Sequence, residues 1–322
     1  MKPRVLVTRR IPETGLEMLR GACAVDVREG DLPPSRDELI ERVPGARGLL
    51  CLLTDPVDAG VIAAGADLSV ISTYAVGFDN IDVAAATARG IPVGNTPGVL
   101  TETTADLAWS LLMSAARRIV EGADFSRAGK WKTWGPTLLL GRDVHGATLG
   151  LHGFGRIGRA MARRAGGFGM RVLYCDPNVP GTEADGATPV DFDTLLRVSD
   201  FLSLHAPLTP ATRGLLGAAA LARMKPGAVL INTARGPMVD HDALLDGLRG
   251  GNPGYAALDV TDPEPLPAGH PLYVQPNCLI VPHLGSASVA TRTLMARMAA
   301  ENLLAGLRDE PLPNCVNPQV RG

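Results

Sequence analysis

An arginine, a glutamate and a histidine lie at the ends of the last three apolar runs of the sequence. Arg235 comes after the run VLINTA, Glu264 comes after ALDVTDP, and His283 ends LIVPH. The carboxyl ends of strands in an open α/β sheet line the ligand crevice, so we expect these residues to face one site. An arginine fork can bind a carboxylate together with an adjacent keto oxygen, and a histidine held by a carboxylate can protonate that oxygen. Together, the three residues predict a site that binds the carboxylate of a keto acid and transfers a proton to its keto oxygen.

Each of the three residues also has a purely structural interpretation. Arg235 could be a surface arginine after a strand, Glu264 a solvated loop residue, and His283 a packed histidine before a Gly-Ser turn. The other histidines are spread without the spacing of metal ligands, so no metal site is predicted.

A glycine-rich turn precedes these residues in the chain. The motif GFGRIG, residues 153–158, lies between an apolar run and an amphipathic helical pattern. In that context Gly153 permits a tight turn, Gly155 lets backbone approach a pyrophosphate, and Gly158 lets the helix pack closely. The amino end of the helix then offers N–H groups to the phosphates. The motif predicts a dinucleotide site.

Asp176 closes the next apolar run, eighteen residues after Gly158. A carboxylate there can bind the ribose hydroxyls of the coenzyme and would repel a 2′-phosphate. No lysine or arginine follows before Arg197 to compensate that charge. We therefore expect NAD(H) to be preferred over NADP(H). The alternative interpretation is that Asp176 only opens the DPN turn.

Short apolar runs alternate with helical patterns along most of the chain, which is typical of parallel α/β sheets. Residues 90–98, rich in Gly and Pro, suggest a crossover between domains, and a buried helix is expected over 101–118 with Thr101 as its cap. The predicted fold is two doubly wound α/β domains. The predicted strands are 4–8, 24–28, 48–53, 68–73, 148–153, 170–176, 200–207, 228–234, 255–260 and 278–283.

The composition excludes several classes of function. The 322 residues carry a formal net charge of −2 without runs of like charge, so neither nucleic acid nor an anionic membrane surface is an expected partner. The five cysteines are far apart and form no CxxC, which argues against a disulfide framework and favours a reducing cytoplasm. No stretch is long and apolar enough for a signal peptide or a membrane span.

Several long motifs in one order give the sequence a resemblance to a known family. YAVGFDNIDVAAATARGIPVGNTPGVLTETTADLAWSLL, GFGRIG, INTARGPMVD, LDVTDPEPLPAGHPL and PHLGSAS resemble the D-isomer specific 2-hydroxyacid dehydrogenases, in particular the glyoxylate/hydroxypyruvate reductase branch. The resemblance implies a discontinuous, flavodoxin-like substrate-binding domain with an inserted Rossmann-type domain. We accordingly expect a substrate domain of residues 1–99 and 288–322 and a dinucleotide-binding domain of residues 100–287.

The resemblance also implies roles for individual residues. It makes Arg235 the substrate-orienting arginine, His283 the acid/base and Glu264 its supporting acid. It assigns substrate binding to Leu53, to the N–H groups of Val76 and Gly77, and to Trp134 reaching in from the partner of a homodimer; Trp134 could alternatively be an ordinary interface residue. The positions predicted to contact the coenzyme are Thr104, Gly153, Gly155, Arg156, Ile157, Gly158, Asp176, His205, Pro207, Thr212, Thr233, Asp259 and Gly285.

These inferences predict a cytoplasmic reductase that moves a hydride from NADH to glyoxylate or hydroxypyruvate, giving glycolate or D-glycerate. The resemblance to the branch implies that NADP(H) is possible as well, while Asp176 favours NAD(H). Two alternatives stay open. The first is another D-2-hydroxy acid as substrate, such as a phosphoglycerate. The second is an NAD-responsive binding protein, like the transcriptional corepressors built on this fold. Turnover with a keto acid distinguishes the second alternative from an enzyme.

Overall fold

The computed structural model describes residues 2–179 and 185–321, which divide into two compact units. The first unit combines Met1–Leu100 with Ala287–Gly322, and the second is the continuous stretch Thr101–Ser286. Among the described residues, no helix has both the length and the apolar character needed to cross a membrane. All five cysteines are free thiols.

The first unit is built on a five-stranded sheet in which all neighbours run parallel. Its strand order is β2-β1-β3-β4-β5, the flavodoxin-like order. The strands are β1 (Arg4–Val7), β2 (Ala24–Val27), β3 (Gly48–Cys51), β4 (Val70–Thr73) and β5 (Val93–Gly94). The helices are α1 (Glu13–Ala22), α2 (Arg36–Arg42), α3 (Ala59–Ala64), α4 (Val83–Ala88) and, near the end of the chain, α11 (Val289–Leu307).

The helix α11 packs on this sheet and closes the first unit. A Cβ placed on Gly15 of α1 would lie 2.7 Å from the Ala296 carbonyl oxygen, so these two helices are in close contact. The hydroxyl of Ser72, in β4, donates to the Ala299 carbonyl (2.9 Å). Leu303 is fully buried beside Gly48. The last part of the chain therefore completes the core that the first hundred residues begin.

The second unit is built on a seven-stranded parallel sheet of order β12-β11-β10-β9-β6-β7-β8. Read from its first strand, this is the Rossmann order 3-2-1-4-5-6 with one strand added at the far edge. The strands are β6 (Thr148–His152), β7 (Arg171–Cys175), β8 (Ala187–Pro189), β9 (Phe201–Leu204), β10 (Val229–Asn232), β11 (Tyr255–Leu258) and β12 (Cys278–Ile280). The helices are α5 (Thr101–Arg117), α6 (Ile119–Arg127), α7 (Arg156–Gly166), α8 (Phe192–Val198), α9 (Ala218–Leu221) and α10 (His241–Gly250).

The second unit has an apolar layer on each face of its sheet. In β10, Val229 and Ile231 point into the layer formed with α5 and α7, whereas Leu230 points into the layer formed with α8, α9 and α10. Successive residues of a strand face opposite sides, and here both sides are covered by helices. This explains why the strands appear in the sequence as continuous apolar runs. The predicted fold class is confirmed.

Several predicted boundaries were wrong. The strand expected over 48–53 ends at Cys51, so Leu53 lies in the following turn, and the strand expected over 278–283 ends at Ile280, before His283. The expected crossover at 90–98 contains the edge strand β5. The helix expected over 101–118 ends at Arg117, because Arg118 adopts a left-handed conformation (φ 52°) and α6 starts after it.

Candidate active site

The three residues singled out by their chemistry all follow adjacent strands of the second unit. Arg235 lies three residues beyond β10, Glu264 lies in the loop after β11, and His283 lies three residues beyond β12. Because β10, β11 and β12 are neighbours and run parallel, their carboxyl ends lie at one edge of the sheet. The structure thus brings the loops of all three residues to the same edge.

The backbone that presents Arg235 is held by the side chain of Asn232, the last residue of β10. The buried Asn232 amide donates to the Arg235 carbonyl (2.9 Å), and its oxygen accepts from the Ala234 N–H (3.0 Å). A Cβ on Gly236 would lie only 1.9 Å from the Thr261 carbonyl oxygen, so this position requires glycine. The loop after β10 therefore packs directly on the loop after β11. Sequence reasoning missed Asn232, although a polar residue ending an apolar run is a usable signal.

His283 and Glu264 form a direct pair. The Nδ1 of His283 lies 2.6 Å from Oε1 of Glu264, and the two side chains are 24% and 31% exposed. The His283 backbone is left-handed (φ 53°), and its N–H donates to the carbonyls of Asp259 (3.0 Å) and Val281 (3.1 Å). A carboxylate on Nδ1 fixes the ring orientation and leaves Nε2 as the nitrogen that can transfer a proton.

Asp259, directly after β11, connects the loops of Arg235 and His283. Its buried carboxylate accepts from the N–H groups of Leu284 (2.5 Å) and Gly285 (2.9 Å), and its own N–H donates to the Asn232 carbonyl (2.8 Å). Burial raises the pKa of the Asp259 carboxyl above its ordinary value, while the hydrogen bonds from Leu284 and Gly285 act in the opposite direction.

Two more residues predicted to contact the coenzyme lie beside Asp259. A Cβ on Gly285 would lie 3.2 Å from Oδ2 of Asp259 and 3.6 Å from the hydroxyl oxygen of Thr104. Thr104 belongs to α5 and is itself buried. The structure therefore brings together Thr104, Asp259 and Gly285, which stand far apart in the sequence.

The glycine-rich turn has the geometry of a dinucleotide cradle. Gly153 is left-handed (φ 92°), and a Cβ there would lie 2.4 Å from the Ala206 nitrogen. A Cβ on Gly158 would lie 2.3 Å from the Gly153 carbonyl oxygen, so α7 packs closely on the turn. Gly155, by contrast, faces open space, and α7 begins at Arg156 and Ile157 immediately after it. An open glycine at the amino end of a helix fits a pyrophosphate.

Asp176 lies beside the glycine turn and is anchored to it. One carboxylate oxygen accepts from the Phe154 N–H (2.8 Å), and the other accepts from the Asn178 N–H (2.9 Å). The bond from Asn178 stabilises the turn that Asp176 opens, as the alternative interpretation of the sequence expected. The bond from Phe154 connects the end of β7 to the glycine turn. Each oxygen retains lone-pair capacity for a ribose hydroxyl.

The remaining coenzyme positions follow β9 and β10. The His205 Nε2 lies 2.9 Å from the Ser203 hydroxyl, while its Nδ1 is buried and has no hydrogen-bond partner among the described residues. Burial lowers the pKa of His205 to about 3, and the nearby His152 also lowers it. The Thr212 hydroxyl donates to the Pro207 carbonyl (2.8 Å) and shapes the loop after β9.

Thr233, the first residue after β10, has a buried hydroxyl oxygen without a hydrogen-bond partner in the described part of the chain. An orphaned polar atom at the carboxyl end of a strand is a position where a bound coenzyme can complete the hydrogen bonding. Together with the open glycine cradle, it indicates that the residues of the second unit fit a nicotinamide dinucleotide.

The predicted substrate residues Leu53, Val76 and Gly77 lie in the first unit, after β3 and β4. Leu53 and Val76 are half-buried. Trp134 lies in the second unit between α6 and β6, and its side chain is 78% exposed. The roles of these four residues remain predictions. Within the described residues, no cluster of His, Cys, Asp and Glu is arranged to hold a metal ion.

Comparison with known proteins identifies the family. The family described as D-isomer specific 2-hydroxyacid dehydrogenase, NAD binding domain, matches residues 109–285. A glyoxylate reductase of Korarchaeum cryptofilum is 51% identical over 324 residues, covering 99% of this chain and 97% of that protein. The chain belongs to the D-isomer specific 2-hydroxyacid dehydrogenases.

Other known proteins are similar to this chain over nearly their whole length. The human glyoxylate reductase/hydroxypyruvate reductase is 45% identical, covering 97% of each chain. The crystal structure of the TT0316 protein from Thermus thermophilus superposes with a TM-score of 0.91 at 51% identity, covering 97% of this chain and 99% of that chain. The predicted family and branch are confirmed.

The lowered pKa of His205 predicts a pH-dependent stability. Its pKa of about 3 lies far below the ordinary value of 6.5, so between these pH values the unfolded state binds the extra proton. This contribution to the free energy of unfolding is complete above pH 6.5 and is lost as pH falls toward 3. We expect His205→Asn to lessen that loss by about 1 kcal/mol near pH 5.5 in urea titrations.

The matched control is His145→Asn, which replaces an exposed histidine of the same unit. It should leave the dependence of unfolding free energy on pH close to that of the wild type. A His205→Asn variant with the same dependence as the His145→Asn variant would contradict the prediction.

Proposed function

We propose that the protein reduces glyoxylate, hydroxypyruvate or both with NADH, giving glycolate or D-glycerate. The observation that carries the proposal is the 2.6 Å pair of His283 and Glu264, at the same sheet edge as the Arg235 loop. Relatives of 51% and 45% identity, named glyoxylate reductase and glyoxylate reductase/hydroxypyruvate reductase, support this choice of substrates.

Each residue of the site has a defined task in this reaction. The Arg235 guanidinium binds the carboxylate and the keto oxygen in a bidentate manner and polarises the carbonyl. His283 transfers a proton from Nε2 to the keto oxygen, and Glu264 holds the ring through Nδ1. A bound nicotinamide supplies the hydride that C2 receives. Oriented backbone N–H groups of Val76 and Gly77 bind the carboxylate in the proposed arrangement.

The turns assigned to substrate binding favour a small keto acid over a phosphorylated one. Neither the turn 52–55 nor the turn 76–80 contains lysine or arginine. Arg9 lies beside the first turn, and its guanidinium already contacts the Thr54 hydroxyl and the Asp31 carbonyl. A phosphate dianion needs charged donors that these turns lack. This supports glyoxylate and hydroxypyruvate rather than a phosphoglycerate.

We infer a preference for NAD(H) from Asp176. A carboxylate there accepts ribose hydroxyls and repels a 2′-phosphate. The family also contains NADPH users: a structural neighbour of 33% identity from Sinorhizobium meliloti is described as an NADPH-dependent glyoxylate/hydroxypyruvate reductase. NADP(H) is therefore proposed as a possible, weaker coenzyme.

We further propose that the enzyme is a homodimer. The segment from α6 to residue 140, here called the arm, presents large apolar side chains to solvent, and α6 has no buried residue among those described. Trp134 and Leu140 are 78% and 64% exposed. A soluble chain seldom exposes so many large apolar side chains without a partner surface. A second copy that covers the arm accounts for them and brings Trp134 to the partner's substrate.

The first prediction from the proposed reaction concerns activity. Purified protein should consume NADH with glyoxylate or hydroxypyruvate, followed by absorbance. His283→Ala should lower kcat by about 10²- to 10⁴-fold, because the proton donor is lost. Arg235→Ala should raise the KM of the keto acid as well as lower kcat. Coenzyme affinity, measured by fluorescence titration, should change little in both variants.

Matched controls are His145→Ala and Arg223→Ala, exposed residues of the same unit. They should leave turnover unchanged. Binding of both coenzymes without consumption of either would refute the dehydrogenase and favour the NAD-responsive binding protein. Activity confined to phosphorylated acids would favour the phosphoglycerate alternative.

The second prediction concerns coenzyme preference. Asp176→Asn removes the charge while keeping an acceptor for the Phe154 N–H, so the turn should persist. We expect the preference for NADH over NADPH, as the ratio of kcat/KM values, to fall by about tenfold, which corresponds to ~1.4 kcal/mol. Asp193→Asn, which removes a half-buried carboxylate on α8 that pairs with Arg197, is the control. An unchanged ratio in the Asp176 variant would show that another residue selects the coenzyme.

The third prediction separates two roles for Trp134. The wild-type protein should sediment as a dimer, and Leu140→Glu should shift it toward monomer. Trp134→Ala should remain dimeric while the KM of the keto acid rises, because the residue contacts the partner's substrate. A Trp134→Ala variant that dissociates with no change in KM in its remaining dimer would make Trp134 an ordinary interface residue. A monomeric wild type would refute the dimer.

A further inference from the structure

Two turns of the first unit are linked by the side chain of Asn80. The first turn, Leu52–Asp55, follows β3, and the second turn, Val76–Asn80, follows β4. The Nδ2 of Asn80 donates to the carbonyl oxygens of Leu52 (3.0 Å) and Asp55 (2.8 Å). A single amide thus fixes two peptide groups of the first turn from the end of the second turn.

The first turn is also held from within by Asp55, whose side chain is fully buried. Its Oδ2 accepts from the Leu52 N–H (2.7 Å) and from the Thr8 hydroxyl (2.5 Å), and Oδ1 lies 3.7 Å from the Arg9 guanidinium. Both the N–H and the C=O of Leu52 therefore bind side chains that are themselves anchored. Leu53 is the next residue, so its backbone has little freedom to shift.

The second turn is fixed on its other side by Asn95. The Asn95 amide donates to the Val76 carbonyl (2.9 Å), and the Asn95 carbonyl accepts from the side chain of Asn302 in α11 (2.8 Å). The Val76 peptide therefore has one anchor in the body of the unit, whereas Asn80 spans the gap to the first turn. Removing the Asn80 amide would take away both side-chain bonds between the turns, while the backbone bond from the Val57 N–H to the Asn80 carbonyl (3.0 Å) stays in place.

We propose that Asn80 is a positioning residue for the keto acid, an inference that rests on the proposed function. Its amide fixes the position of Leu53 relative to the N–H groups of Val76 and Gly77. The apolar Leu53 side chain and the two N–H donors therefore contact the substrate in one fixed arrangement. Donors that are fixed before binding need no reorganisation during the reaction. Asn80 does not itself touch the substrate.

The test compares Asn80→Asp and Asn80→Ala with the same substitutions at Asn277. Asn80→Asp is close to isosteric and replaces the donor by a carboxylate facing two carbonyl oxygens. Asn277, in the second unit, makes the same kind of bridge, donating to the carbonyls of Leu248 (3.0 Å) and Gly254 (2.9 Å). The control therefore loses equivalent hydrogen bonds away from the predicted substrate turns.

We expect both Asn80 variants to lose about 10- to 100-fold in kcat/KM for the keto acid, mostly through KM, since small displacements in a preorganised site have effects of this size. Their NADH affinity should equal that of the wild type, because the predicted coenzyme residues lie in the second unit. Asn277 variants should lose thermal stability to a similar degree without a change in the KM of the keto acid.

The outcomes separate this inference from the proposed function. An inactive wild type would refute the proposed function. An active wild type whose folded Asn80 variants keep the KM of the keto acid would refute the role of Asn80. Should the Asn80 variants fail to fold, Thr8→Val removes only the hydroxyl that donates to Asp55; a several-fold rise in KM supports the fixed turn, and an unchanged KM refutes it.

Discussion

A carboxylate buried at the end of β11 controls the geometry of the candidate active site. The Asp259 carboxylate accepts hydrogen bonds from the N–H groups of Leu284 and Gly285. Its own N–H donates to the last residue of β10, and its carbonyl accepts from the His283 N–H. Burial of the Asp259 carboxylate is unfavourable and raises its pKa. The two N–H groups partly compensate the cost of burying the charge. The loops after β10, β11 and β12 therefore form one connected structure, in which the left-handed backbone of His283 is tolerated.

Buried or half-buried polar side chains also hold the backbone just beyond other strands that end near predicted ligand positions. Backbone groups that leave a sheet lose their ladder partners and must find others. Asn232 supplies them after β10, Asp176 after β7, and Asp55 with Asn80 after β3. Short side chains with fixed amide or carboxylate groups suit this task because they lose little rotamer freedom. The functional loops are thereby rigid without regular secondary structure.

Much of this organisation could be predicted from the sequence. Strands buried on both faces, such as β9 and β10, are continuous apolar runs, and the glycine motif is informative because it lies between an apolar run and a helical pattern. Arg235, Glu264 and His283 could be identified because their chemistry stands out beside apolar runs. The edge strands β5 (Val93–Gly94) and β8 (Ala187–Pro189) were missed, since neither lies in an apolar run like the one that marks β12, an edge strand of three residues.

The supporting residues could not be predicted, for a different reason. Asn80 and Asn232 look like ordinary turn residues in the sequence, because amides are common in turns whatever they bind. Their importance depends on which distant carbonyl or N–H lies within 3 Å, and that is a property of the folded chain. The end of β3 at Cys51 has the same origin, since it depends on Asp55 capturing the Leu52 N–H.

The discontinuity of the first unit has a consequence for how the protein is made. The helix α11 supplies Leu303 and contacts α1 closely at Ala296, yet it is translated after the whole second unit. The second unit is continuous and can fold as soon as it leaves the ribosome, because domains generally fold as units in the order of synthesis. The five-stranded sheet must wait, with one face uncovered, until the final helix emerges. During that interval the nascent chain exposes the apolar surface of the sheet that α11 later covers.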